Sequence, residues 1–178
     1  MRKWMKLFGV AAGLTLAGLP SVSWAANPAT ITVTVTIQNL SVSATGPIAF
    51  GTVIAGSQSV SGSGSTVTND GNVTETYSLS LTNPSGWTAV TSSPASEQYA
   101  LLAQFNASAP TGVSFAYADH GLTTTPVGSS ATTFAGGATG LSVAASAVRT
   151  LWFRFDAPSS TSVATQQSIT VTVTASAG

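Results

Sequence analysis

The chain has 178 residues, no cysteine, few charged side chains and a formal net charge of zero. The absence of cysteine excludes disulfides and thiol chemistry. Because lysine and arginine are few and are not clustered beyond the first residues, nucleic acid and anionic membrane surfaces are poor partners.

Residues 1–25 are predicted to be an export signal. Three basic residues open the segment, an apolar run covers residues 7–19, and the small residues Ser23 and Ala25 suit cleavage after residue 25. The apolar run is too short to span a bilayer. We therefore expect a secreted, extracellular or cell-surface protein formed by residues 26–178, with no membrane span. This portion contains two arginines, five carboxylates and no lysine.

The rest of the chain alternates predicted strands with turns rich in Gly, Asn, Pro and Ser. The predicted strands are 30–37, 40–44, 48–53, 58–68, 74–82, 87–90, 99–105, 113–118, 148–155 and 168–175, of which 99–105 could instead be a helical turn. Residues 69–72 (NDGN) are a strong hairpin signal, and 119–147 lacks clear periodicity. The pattern predicts one all-β domain, an immunoglobulin-like or jelly-roll-type two-sheet sandwich of about seven to nine strands.

Two central strands should supply much of the core. In each, large apolar side chains occupy alternate positions, which places them on one face of a strand. The predicted core residues are Tyr77, Leu79, Leu81, Leu151, Phe153 and Phe155.

The first and last predicted strands are near copies of each other. Residues 30–37 read TITVTVTI and residues 168–175 read SITVTVTA. Each would have one apolar face and one hydroxyl face, and strands of this kind need a partner edge. The apolar positions are Ile31, Val33, Val35 and Ile37 in the first strand and Ile169, Val171 and Val173 in the last.

Two segments resemble immunoglobulin-like surface and structural modules. Residues 50–56 (FGTVIAG) followed by 67–72 (VTNDGN) resemble a pattern of the abnormal-spindle/hydin-like group, and 151–158 (LWFRFDAP) looks like the penultimate strand of secreted bacterial immunoglobulin-like proteins. More loosely, the chain is similar to subunits of donor-strand filaments and biofilm-matrix fibres. The resemblance implies a structural or adhesive role and carries over no catalytic residue.

The sequence offers little support for catalysis. His120 is the only histidine, and Glu75 and Glu97 have no spacing that would bring them together as a glycosidase pair. All three side chains are expected to be solvated. We therefore predict no catalytic residue, no cofactor and no enzymatic activity.

Two ligand sites are conceivable. Asn69, Asp70 and Asn72 place oxygen donors in one turn and are a weak candidate for Ca²⁺, although a hairpin turn favours the same residues for backbone reasons. An aromatic platform for carbohydrate is the other, and would use Trp87, Tyr99, Tyr117 and Trp152.

Assembly through a terminal strand is the leading functional hypothesis. Without lysine or cysteine in residues 26–178, a polymer would have to be non-covalent. Thr30–Ile37 would be a donor strand, Ile169–Thr174 a fixed strand of the acceptor, and Gln38 and Asn39 a hinge. The product would be a homopolymeric fibre, pilus or matrix. The alternative is a secreted monomeric adhesion module for carbohydrate or a cell-surface partner.

Overall fold

The structure is a computed structural model and describes residues 28–178. The predicted export signal, residues 1–25, lies outside the described residues. Internal contacts divide the chain into one unit up to Val35 and a second unit, Thr36–Gly178. The described strands all belong to the second unit.

The second unit is built almost entirely from strands. Its strands are β1 (Val42–Ala44), β2 (Gln58–Val60), β3 (Ser65–Asn69), β4 (Glu75–Thr82), β5 (Thr88–Ala89), β6 (Gln98–Phe105), β7 (Val127–Gly128), β8 (Val148–Asp156) and β9 (Thr170–Ala177). A 3₁₀ helix, Gly112–Ser114, and one short helix, α1 (Tyr117–His120), lie between β6 and β7.

These strands form two sheets. In the larger sheet the order is β1-β3-β8-β6-β5, and β2 also pairs with β8. In the smaller sheet the order is β7-β4-β9, with β4 and β9 antiparallel over eight residue pairs that include Leu79 with Val173. The prediction of an all-β two-sheet sandwich is confirmed.

The core lies between the sheets and contains all six predicted core residues. Each of the six side chains is at most 7% exposed, and Tyr77 and Leu79 are fully buried. Strand β8 occupies the centre of the large sheet, between β3 and β6. The alternation of residue types along β4 and β8 was therefore a reliable guide to which side faces inward.

Several predicted element boundaries are wrong. Residues 28–41 contain no strand, and the predicted strand 30–37 pairs with no other strand within residues 28–178. Residues 48–53 also form no strand, and the chain there turns at Gly51, whose φ of 66° favours glycine. The predicted strand 58–68 is divided into β2 and β3, which pair with opposite ends of β8.

The turn at residues 69–72 is not a hairpin turn. It links β3 in the large sheet to β4 in the small sheet, so the chain crosses between the two layers there. The predicted strand 113–118 is likewise wrong, since the 3₁₀ helix and α1 occupy this part of the chain. Within residues 113–118, Phe115 is buried, whereas Val113 is 91% exposed. The segment lies on the outer face of the large sheet.

Candidate assembly groove

An open groove of about 1090 Å³ runs along one side of the sandwich. We call it the edge groove; it lies within the second unit and is bounded by β9 on one side and by the irregular segment 44–55 on the other. Its floor is formed by side chains of β8. A packed core that is this accessible along one edge is unusual, because sandwich cores normally close to the density of a molecular crystal.

The groove is open because β9 has a partner on one edge alone. Strand β4 pairs with β9 along its whole length, and within residues 28–178 no strand pairs with the other edge. Ile169, Val171 and Val173 line the groove and pack against the core, yet they remain half-buried. The unpaired backbone edge of β9 and its uncovered aliphatic side chains therefore lie along the same side of the groove.

The opposite wall also lacks a regular edge. Strand β1 is three residues long, and after Ala44 the chain continues to β2 without ladder pairing. Ile48, Phe50 and Val53 from this segment face the groove. One short strand and a loop thus stand where a sandwich usually has a full edge strand.

Aromatic rings form the floor at one end of the groove. The ring of Phe155 lies 5.6 Å from Phe50, 6.1 Å from Trp87 and 6.0 Å from Tyr99, measured between centroids. The indole nitrogen of Trp87 donates to Thr161 Oγ1 at 2.9 Å. Phe50, Trp87 and Phe155 line the groove, so this end of it is aromatic, and Tyr99 packs behind Phe155.

Glu97 holds the rim of the groove at that end. Its carboxylate accepts hydrogen bonds from the backbone N–H of Ser162 at 2.6 Å and from the hydroxyl of Thr161 at 2.7 Å. These bonds, the backbone N–H of Ser162 first, lower the pKa of Glu97 below its usual 4.5. Glu97 is half-buried, so the prediction that it is solvated holds only in part.

The predicted donor residues are exposed. Ile31, Val33 and Val35 are 89%, 85% and 84% exposed, and Ile37 in the second unit is 77% exposed. Four neighbouring β-branched side chains in water are costly, because each loses the free energy of burial. The described residues therefore include an apolar strand-forming segment whose side chains are exposed and an apolar groove that is open to solvent.

The Asn69–Asn72 turn uses its amide oxygens for backbone hydrogen bonds. Asn69 Oδ1 accepts from Gly71 N at 2.9 Å, and Asn72 Oδ1 accepts from Asn39 N at 2.8 Å. Asp70 is exposed. Among the described residues no cluster of three or more His, Cys, Asp or Glu side chains is placed to hold a metal ion. The amide oxygens of Asn69 and Asn72 are thus already engaged by backbone N–H groups, and the weak Ca²⁺ site stays a prediction.

Glu75 and His120 are buried, so the prediction that they are solvated is wrong. Glu75 is fully buried at the start of β4; its Oε1 accepts from Ser41 N at 2.7 Å, while its Oε2 has no hydrogen-bond partner. His120 is 5% exposed, and its Nδ1 accepts from Ala116 N at 2.9 Å. Both side chains hold backbone segments in place.

The four aromatic residues considered as a sugar platform lie in two separate groups. Tyr99 is buried in the main core, and Trp87 packs against that core and lines the groove. Tyr117 and Trp152 pack with the smaller apolar cluster on the outer face of the large sheet. The structure therefore does not bring the four rings together on one surface.

A buried ion pair on the outer face was not predicted from the sequence. Arg154 Nε lies 2.9 Å from Asp156 Oδ1, and both side chains are nearly buried. The guanidinium also donates to the carbonyls of Gly112 and Phe115, and Asp156 Oδ2 accepts from the hydroxyl of Tyr117 at 2.6 Å. The Arg-x-Asp spacing on β8 was the available signal, since residues two apart share a strand face.

Among the described residues, no helix has the length and apolar character needed to cross a membrane. Comparison of the chain with models of protein families, with curated proteins and with solved structures finds no match.

Proposed function

We propose that the protein is a non-enzymatic structural subunit of an extracellular, non-covalent fibre, and that Thr30–Ile37 of one copy fills the edge groove of the next. The observation that carries this proposal is the coincidence of an exposed, alternating apolar segment with an open apolar groove that has a free strand edge. Strand addition to a sheet edge is a general mode of recognition.

The donor segment and the acceptor edge match in length and pattern. Thr30–Ile37 has eight residues, and β9 also has eight. In both, apolar residues alternate with hydroxyl residues; in β9 these are Val171, Val173, Ala175 and Ala177. A donor beside β9 would therefore place its four apolar side chains inward. Burying four such side chains contributes very roughly 6–12 kcal/mol before ordering costs.

The outer face supports the same placement. In β4 and β9 the paired outward residues are all Ser or Thr, from Thr76 with Ser176 to Thr82 with Thr170. Thr30, Thr32, Thr34 and Thr36 of an added strand would continue this uncharged hydroxyl surface. No charge would be buried by the addition.

A second copy is a better occupant than the same chain. Ser41 bonds to Glu75, and Glu75 pairs with Ala177, so the segment joins the sandwich at the end where β9 finishes. A segment folded back into its own groove would run towards that end, parallel to β9. A strand from another copy is free to run antiparallel, and antiparallel ladders are slightly more stable.

Deletion of residues 26–38 tests the proposal. We expect the truncated chain to remain folded and monomeric in size-exclusion chromatography, and to bind a peptide of sequence 30–37 added in solution. The chain beginning at Ala26 should instead form filaments visible by electron microscopy. Unaltered assembly after the deletion would refute strand donation.

Two matched peptides sharpen this test. A peptide in which the residues equivalent to Ile31, Val33, Val35 and Ile37 are all threonine should not bind. A peptide in which the four threonines are serine should bind nearly as well as the original, since these side chains face solvent. If the chain beginning at Ala26 stays monomeric at high concentration, the secreted adhesion module becomes the better hypothesis.

A further inference from the structure

Asn72, in the loop that follows β3, forms hydrogen bonds with Ile37 and Asn39, at the C-terminal end of the proposed donor strand. The backbone N–H of Asn72 donates to the carbonyl of Asn39 at 3.1 Å, and its side-chain Oδ1 accepts from the N–H of Asn39 at 2.8 Å. Its Nδ2 donates to the carbonyl of Ile37 at 2.8 Å. One residue thus bonds to the chain on both sides of Gln38.

A second anchor lies two residues further along the chain. The N–H of Ser41 donates to Glu75 Oε1 at 2.7 Å, and the carbonyl of Ser41 accepts from the N–H of Asp70 at 2.7 Å. Glu75 is fully buried at the start of β4, so this acceptor has little freedom to move.

The close fit of the two chain segments depends on Gly71. This glycine is buried, and a Cβ added to it would lie 2.5 Å from the carbonyl oxygen of Asn39 and 2.5 Å from Glu75 Oε1. No side chain fits at such distances without moving one of the segments. Glycine is therefore required here for a close approach of two backbones.

We propose that residues 69–75 form an exit clamp that holds residues 37–41 in one position. The hydrogen bonds of Asn39 do not fit a hinge at that residue. This inference rests on the proposed function. If Thr30–Ile37 fills the groove of a neighbouring subunit, a donor strand whose C-terminal end is held by the clamp restricts the movement of successive subunits relative to one another. The clamp then limits the angle between neighbours and stiffens the fibre.

The clamp can be tested independently of assembly by amide hydrogen exchange on a chain that begins at Ala26 and carries Val173→Glu in the edge groove, a change expected to block strand insertion and keep the protein monomeric. In Asn72→Ala the amide of Asn39 should exchange about tenfold faster, the size expected for one net hydrogen bond. In Asn72→Asp it should stay protected, because Oδ1 is retained. Asn106→Ala, which removes similar side-chain bonds to Ala107 and Gly137, is the matched control and should leave Asn39 unchanged.

Gly71→Ala provides a second variant. It should increase exchange at both Asn39 and Ser41, while core amides of β4 and β8 stay protected. Unchanged exchange at Asn39 in both Asn72→Ala and Gly71→Ala would overturn the clamp, whether or not the protein forms fibres.

Electron micrographs test the consequence for the fibre. Fibres of Asn72→Ala should assemble to normal length but show a shorter persistence length than fibres of Asn106→Ala. Equal stiffness of the two would overturn the proposed role of the clamp. A failure of the unaltered chain to form fibres would count against strand donation, and the exchange data would still decide whether the clamp exists.

Discussion

The rings of Phe50 and Phe155 lie 5.6 Å apart at the floor of the edge groove, and both side chains line it. Phe155 belongs to the central strand of the large sheet, whereas Phe50 belongs to an irregular segment that pairs with no strand. The contact ties the loop wall of the groove to the core. The loop wall of the groove is thus held against the core, and substitutions of the lining residues can test the role of the groove.

Phe153→Ala should destabilise the protein by about 3–5 kcal/mol, because the ring is nearly buried and its removal leaves a cavity. Urea denaturation followed by circular dichroism measures this loss. Thr172→Ala, on the exposed face of β9, is the control and should change stability little. A loss below about 1 kcal/mol for Phe153→Ala would mean that this side chain does not pack in the core.

Val173→Glu should block the edge groove without unfolding the domain. Val173 is half-buried and lines the groove, so a carboxylate there can reach solvent in the empty groove but would be buried by an inserted strand. We expect binding of the 30–37 peptide, measured by calorimetry, to weaken at least about tenfold. Thr172→Glu places the same charge on the opposite face of β9. Equal weakening by the two variants would contradict the assigned binding face.

Tyrosine ionisation should destabilise the protein at high pH. Burial raises the pKa of Tyr77 and of Tyr99 from 10.0 to about 12, with the charge of Glu75 adding to the effect at Tyr77. The folded state then holds phenolic protons that the unfolded chain releases. Their contribution to stability is complete below about pH 10 and is lost as the pH rises towards about 12.

Tyr77→Phe isolates the contribution of one tyrosine to this loss of stability at high pH. The hydroxyl of Tyr77 is buried without a hydrogen-bond partner, so its removal should not lower stability at neutral pH. Urea denaturation at several pH values should show a shallower loss above about pH 10 than in the unaltered chain. An unchanged slope would place the alkaline transition on other groups.

Arg154→Met should cost about 3–5 kcal/mol, because it leaves the carboxylate of Asp156 buried without its ion-pair partner. The double variant Arg154→Met with Asp156→Leu should lose less, since no charge is then left buried. Denaturation of the two variants measures the difference. Equal losses would show that Arg154 acts mainly by holding the carbonyls of Gly112 and Phe115.

Alternating residue types predicted the parts of the fold in which a strand has a buried face. Tyr77, Leu79 and Leu81 on β4 and Phe153 and Phe155 on β8 were assigned to the core correctly, because a strand turns alternate side chains to opposite faces. The same local pattern was wrong for residues 30–37. Its alternation describes a strand that needs an edge, and no edge within residues 28–178 pairs with it.

The sequence alone determined an all-β sandwich, the inner faces of its main strands and the apolar positions of its first and last segments. The tertiary structure decided that no strand within residues 28–178 pairs with the second edge of β9, which borders an open groove. It also decided that Glu75 and His120 are buried and that Asn72 holds Ile37 and Asn39. The reason is that the alternation of apolar and polar residues in the sequence reflects which face of a single strand is buried. Which edges meet, and which polar groups they enclose, depends on contacts between residues far apart in the chain.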